Sequence, residues 1–131
     1  MKTQVRFRSS KFPPYPNEEE QLNPGIWGKR LAEHLVVELN KRGIITGEIV
    51  AEDWGWLVPV PCERAPLAIC CGHQDGEFDE FLCFTEPSQP ILKKWFKKID
   101  VTDELTQLRG ALEQLLASNP DIREIEWSDA G

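Results

Sequence analysis

Long hydrophobic runs are missing from this 131-residue chain, and no window approaches the ~20 consecutive apolar residues that a membrane-crossing helix needs. The first residues, Met1-Lys2-Thr3-Gln4-Val5-Arg6, lack the continuous apolar segment of a secretory signal. The expectation is therefore a cytoplasmic protein with no membrane association. Histidine is scarce, with only His34 and His73, so the commonest general acid–base group has few places to act. The glycines form neither a P-loop nor a Gly-x-Gly-x-x-Gly pattern, which removes the usual phosphate cradles. No Cys-x-x-Cys pair occurs among Cys62, Cys70, Cys71 and Cys83. In a reducing compartment such residues act as small buried hydrophobes, and no disulfide framework is expected.

Positive charge is also in deficit. Fifteen basic residues against twenty-two acidic ones leave a net charge of −7, which repels phosphate backbones and argues against a general nucleic-acid binder. The same charge suits a protein that meets a basic protein partner. With 40% apolar and 28% charged residues, the chain is expected to form one domain over 1–131, removing roughly two-thirds of its unfolded surface from water. No internal repeat or low-complexity tract is present.

What the chain does contain is organised around Gly47-Glu48-Ile49-Val50-Ala51-Glu52-Asp53-Trp54-Gly55-Trp56-Leu57-Val58-Pro59-Val60. Two apolar, β-branched runs flank an Asp-x-Gly reversal, the pattern of a β-hairpin with arms 44–51 and 56–60. Pro59 cannot donate to a ladder, so it marks an edge, a bulge or the strand's end. Trp56 shares parity with Val58 and Val60 and is expected in the core. Trp54, beside the reversal, is expected to be more exposed.

Before the hairpin, residues 3–9 alternate as a half-buried strand. Lys11 to Leu22 combines three prolines with an acidic run and reads as a long, mobile loop with little to bury. Asn23-Pro24 and Gly43 supply start and stop signals for a helix whose stripe is Trp27, Leu31, Leu35 and Leu39. After the hairpin, Leu67–Gly72 is a near-continuous apolar strand, Asp75-Gly76 marks a turn, and 78–86 returns as a strand. Ile91, Leu92, Trp95, Phe96 and Ile99 recur at helical spacing opposite Lys93, Lys94, Lys97 and Lys98, which predicts a short basic amphipathic helix with a solvated lysine face. A leucine stripe from Val101 to Leu116 predicts a second long helix, and 122–127 a last strand.

The expected architecture is α+β, in the order β-α-β-β-β-β-α-β. It is a two-layer sandwich in which a mostly antiparallel sheet of about five or six strands carries two long helices on one face, an elaborated ferredoxin-like arrangement.

Catalytic constellations are weak. Cys62, Cys71, His73 and Cys83 could converge on zinc, but Cys70 and Cys71 point to opposite faces and the spacing matches no zinc knuckle, so neither metal nor cofactor is expected. Cys71 and His73 share a strand face, though a reactive thiol also needs an electropositive, open site. His34 sits at the edge of its helix stripe, where a hydrogen-bonded, half-buried imidazole outweighs a catalytic base. Glu52 and Asp53 could act as acid and base, yet turn capping explains them more simply. The paired indoles are the stronger signal, being large, rigid and amphipathic as binding hot spots are. The candidate binding residues are thus Glu52, Asp53, Trp54, Trp56, His73 and Asp75.

At Asn23-Pro24-Gly25, Gly28-Lys29-x-Leu31-Ala32, Glu52-Asp53-Trp54-Gly55-Trp56-Leu57-Val58-Pro59-Val60 and Leu82-Cys83-Phe84-Thr85-Glu86-Pro87 the chain resembles a group of small, functionally uncharacterised proteobacterial proteins, with Glu-Asp-Trp-Gly-Trp the most specific part. The resemblance implies a compact cytoplasmic α+β domain and supplies no catalytic residues. In size and charge the chain is similar to inhibitor and immunity proteins. The leading expectation is a small acidic protein-binding module of that kind. The alternative is a small enzyme or ligand binder using the 52–56 hairpin and His73.

Overall fold

The structure is a computed structural model that describes residues 1–73 and 76–130. In chain order the elements are β1 (Gln4–Arg8), α1 (Glu18–Gln21), α2 (Lys29–Lys41), β2 (Val50–Glu52), β3 (Gly55–Val60), β4 (Leu67–Gly72), β5 (Glu80–Glu86), β6 (Ile91–Lys94), β7 (Lys97–Asp100), α3 (Thr102–Ala117) and β8 (Arg123–Ser128). Six strands form one sheet in the order β2-β3-β4-β5-β1-β8. Every neighbouring pair is antiparallel. The chain is thus α+β with a mostly antiparallel six-stranded sheet. The helices are few, α2 with 13 residues and α3 with 16. The strand order is a meander extended by the two terminal strands. β1 and β2, joined through α2, are separated by three strands, where the split β-α-β unit of a ferredoxin-like sheet would separate them by one.

Side-chain alternation divides the sheet into two faces. Val5, Phe7, Trp56, Val58, Ile69, Cys71, Phe81 and Cys83 point to one side, where they share a core with Leu31, Leu35 and Leu39 of α2 and Leu108, Leu112, Leu115 and Leu116 of α3. These leucines are the stripes expected from the sequence. Asp100 stands just before α3, its Oδ1 accepting from Thr102 N–H at 2.9 Å, and hydrogen bonding to Thr102 holds its carboxyl below the usual range. Pro59 lies past the end of β2, so its missing donor falls on the sheet edge as expected, while its carbonyl accepts from Gly47 N–H at 2.8 Å.

Four expectations are corrected. First, residues 91–98 are no helix. They form the β6–β7 hairpin, a separate two-stranded sheet that pairs Lys93 with Lys98 and Lys94 with Lys97. The reason lies at the base of the segment, where Val101 N–H donates to Pro90 O at 2.8 Å. A hairpin brings its ends together, whereas eight helical residues would hold them about 12 Å apart.

Second, α2 begins at Lys29, not at Pro24. Trp27 is extended and exchanges both backbone hydrogen bonds with His73, and Asn23 donates through Nδ2 to Asp53 O at 2.9 Å. Third, residues 11–22 are more than a loop with little to bury. They contain α1, they bury Phe12 in the core, and they bury Glu18. The first arm of the central hairpin is also shorter than expected, its ladder covering only Val50–Glu52.

Candidate functional site

Glu18 ties the 11–22 segment to α2 and the central hairpin through four hydrogen bonds. Its Oε2 accepts from Gly28 N–H at 2.7 Å, from Lys29 N–H at 3.0 Å and from Trp56 Nε1–H at 2.9 Å. Its Oε1 accepts from Tyr15 N–H at 2.9 Å. Four donors around one buried carboxylate leave it fully satisfied, and two of them are N–H groups at the start of α2 that have no partner within the helix. The adjacent aromatics carry cations, with the Arg30 guanidinium 3.9 Å from the Tyr15 ring centre and Lys29 Nζ 5.5 Å from that of Trp56. This arrangement is structural, fixing α2 against the β2–β3 hairpin, and it accounts for Trp56 being in the core. Nothing in the acidic run Glu18-Glu19-Glu20 singles out the first glutamate. The available signal is its position three residues after Tyr15, the spacing at which a side chain reaches back to a backbone N–H.

Backbones crowd together at the same end of the sheet. Gly55 faces β4 with φ 150°, and a Cβ there would lie 2.5 Å from Cys71 O. A Cβ on Gly28 would lie 2.8 Å from the Gly72 Cα. This close passage lets the two-residue reversal Asp53-Trp54, closed by the Glu52–Gly55 pair, turn tightly against the sheet.

The reversal sends the two indoles to opposite faces. Trp56 is buried against the helices. Trp54 is half-buried on the other face, its ring centre 5.8 Å from that of Phe84. A continuous cross-strand row runs along that face as Val50, Leu57, Cys70, Phe84 and Gln4. The first four are apolar. None of the three described helices packs on this row, and Cys70, though fully buried, stands outside the core shared with the helices. Burial and then the nearby Glu86 carboxylate push the Cys70 thiol up, so it stays protonated and unreactive.

Carboxylates border the row. By strand parity Glu52 and Glu86 lie on the same face on either side of it. Beside Phe84 a shallow hollow of about 320 Å³ is lined by Gln4, Phe84, Thr85, Glu86, Ser88 and Ala130. At the far end of the face, charges neutralise one another. Asp79 takes Arg8 at 2.6 Å and Arg123 at 2.5 Å, and these guanidinium groups hold its carboxyl below the ordinary range. Asp79 and its two guanidinium partners thus lie away from the apolar row, beside which strand parity places Glu52 and Glu86 together with Arg6, opposite Leu82.

The expected site residues therefore separate. Glu52 and Trp54 belong to the uncovered face. Trp56 is core. Asp53 is exposed at the turn. His73 is buried on the helix side, its ring stacked on Trp27 at 3.8 Å and its Nδ1 2.8 Å from Glu80 O. Asp75 lies outside the described residues. The sheet thus stands between Trp54 and His73, and the two share no cleft. Cys71 and Cys83 face each other across β4 and β5 inside the core. Among the described residues no group of three His, Cys, Asp or Glu side chains is placed to hold a metal ion. No described helix is long and apolar enough to cross a membrane. Phe84 lies on this face without being among the expected binding residues, although its parity opposite Phe81 and Cys83 is readable in the sequence.

Compared with protein-family models, curated proteins and solved structures, the chain matches none of them.

Proposed function

We propose that the chain is a protein-binding module that docks a basic protein through the uncovered face of its sheet, with Trp54 and Phe84 as anchors. The supporting observation is the apolar row of Val50, Leu57, Cys70 and Phe84, overlaid by the half-buried Trp54 and bordered by Glu52 and Glu86. An apolar-aromatic centre with a charged rim is the anatomy of a docking patch, and the catalytic alternative would need convergent polar groups in a cleft. The hollow beside Phe84 fits one projecting side chain, and Glu86 at its wall suits a lysine or arginine. Masking a basic partner in this way is the action of inhibitor and immunity proteins, and we place the chain in that functional class on its size and charge. The Glu-Asp-Trp-Gly-Trp motif that carries the resemblance to the proteobacterial group is then the stretch that builds the patch.

The test is affinity capture from the native host with the wild-type chain, with Trp54→Ala, and with Glu52→Lys combined with Glu86→Lys. A partner of high pI that is retained by wild type and lost from both variants is the expected result. Retention by both variants would move the docking surface elsewhere.

A further inference from the structure

The β6–β7 hairpin is a separate two-stranded sheet and carries an inference independent of the docking face. Its turn is Trp95-Phe96, and both side chains are fully exposed, at 96% and 102% of their reference areas. Among the described residues no other large apolar side chain is so bare; Ile45, the next, is 76% exposed. Trp95 also occupies a left-handed turn position, with φ 55°, where glycine or asparagine is the low-energy choice. In the free protein the pair therefore adds nothing to the core and sits on an unfavourable backbone. The base of the ribbon is anchored. Leu92 and Ile99 pair across it and pack on the core, and Arg64 Nη1 donates to Asp100 O at 2.9 Å.

Behind the tip lie four lysines in two register pairs, Lys94–Lys97 and then Lys93–Lys98. Adjacent pairs of an antiparallel ribbon point to opposite faces, so the cations encircle the aromatic tip on both sides. They carry +4 in a chain of net charge −7, so the remainder carries −11. The strands of the hairpin are thus basic and the rest of the chain net acidic.

We propose that this hairpin is a peripheral anchor for an anionic lipid surface, with Trp95 and Phe96 entering the interface and the four lysines meeting the headgroup phosphates. The layering matches. Tryptophan is favoured at the headgroup level, lysine stems lie along apolar surface with the ammonium in the polar layer, and each lysine near an anionic leaflet adds attraction. The lysine pairs stand about 3 and 7 Å behind the tip along the ribbon. From the Leu92–Ile99 pair to the tip the ribbon spans about 10 Å, longer than the ~8 Å Debye length at physiological ionic strength, so the acidic body is screened from the surface. A single-stranded nucleic acid fits less well. It would use cations and stacking rings on one side of a groove, and the strand would have to run past an acidic body. The sequence reading of these lysines as a solvated helix face no longer applies once the segment is a ribbon with its aromatics at the tip.

The test is co-sedimentation of the full chain with vesicles of phosphatidylcholine alone and of phosphatidylcholine with about one-third phosphatidylglycerol. Wild type should sediment with the anionic vesicles only, and less as salt rises. The combined Trp95→Ala and Phe96→Ala variant should bind at least about tenfold more weakly with an unchanged thermal melt, because the tip touches nothing. Lys93→Glu should weaken binding while Lys11→Glu, an equal charge change elsewhere, should not. Absence of binding to anionic vesicles, binding unchanged in the tip variant, or a tip-dependent gel shift of a single-stranded oligonucleotide without vesicle binding would each overturn the proposal. So would tip-dependent self-association without vesicle binding, which would make a second copy's acidic body the occupant.

Discussion

Glu18 and Trp56, thirty-eight positions apart, meet through a hydrogen bond of 2.9 Å from the indole Nε1–H to the carboxylate. The same oxygen caps α2, so one atom joins the proline-rich segment, a helix start and the central hairpin. Glu18→Ala would leave a buried indole N–H and two helix N–H groups without an acceptor. The expected loss is roughly 3–5 kcal/mol in urea unfolding, because each orphaned buried donor costs about 1–3 kcal/mol and the penalties partly overlap. Glu18→Gln keeps one acceptor oxygen and should cost less. Equal stability of Glu18→Ala and wild type would show that the 11–22 segment does not hold the fold.

The two tryptophans should separate in their effects. Trp56→Ala removes a buried large aromatic and should cost about 3–5 kcal/mol. Trp54→Ala removes a half-buried ring that packs on Phe84, and about 1–2 kcal/mol is expected. Thermal melts beside partner capture provide the check. Capture should fail with Trp54→Ala at temperatures where that variant is still folded.

Glycine positions offer a comparison within one chain. Gly55→Ala would force a Cβ to within 2.5 Å of Cys71 O at a φ of 150°, so unfolding or a loss above about 3 kcal/mol is expected. Gly110 lies exposed inside α3, with nothing within 4 Å of the place a Cβ would take. Gly110→Ala should therefore stabilise by about 0.5–1 kcal/mol through helix propensity. Circular dichroism melts of the two variants should move in opposite directions.

His34 should make stability pH-dependent on the mildly acid side. Burial is the main cause holding its imidazole below the ordinary value of 6.5, opposed by Glu38 and supported by Lys41 and Arg42. The unfolded chain then binds the proton more readily than the folded one, so stability is fully present above the ordinary value. It is lost as pH falls from there through the lowered folded value. His34→Gln should flatten that slope between about pH 7 and pH 5, measured as the thermal midpoint at each pH. A slope identical to wild type would assign the effect to another group.

Local pattern determined a good deal of this protein. The leucine stripes of α2 and α3, the alternation of β1 and β5, the continuous apolar run of β4, and the burial of Trp56 beside Val58 and Val60 follow from patterns that short stretches of sequence carry by themselves. Tertiary structure decided the rest. Ile91, Leu92, Trp95, Phe96 and Ile99 fit a helical period, and only the cross-strand pairing, with the Pro90–Val101 hydrogen bond joining the segment's ends, makes it a ribbon with bare aromatics. Asn23-Pro24 carries a helix-start signal, but Trp27 pairs with His73 and the N–H groups of the helix are capped by Glu18, ten residues before Gly28. The uncovered row of Val50, Leu57, Cys70 and Phe84 draws one residue from each of four strands. Such a row exists only once register is set, and register depends on partners far apart in the chain, which no local window contains.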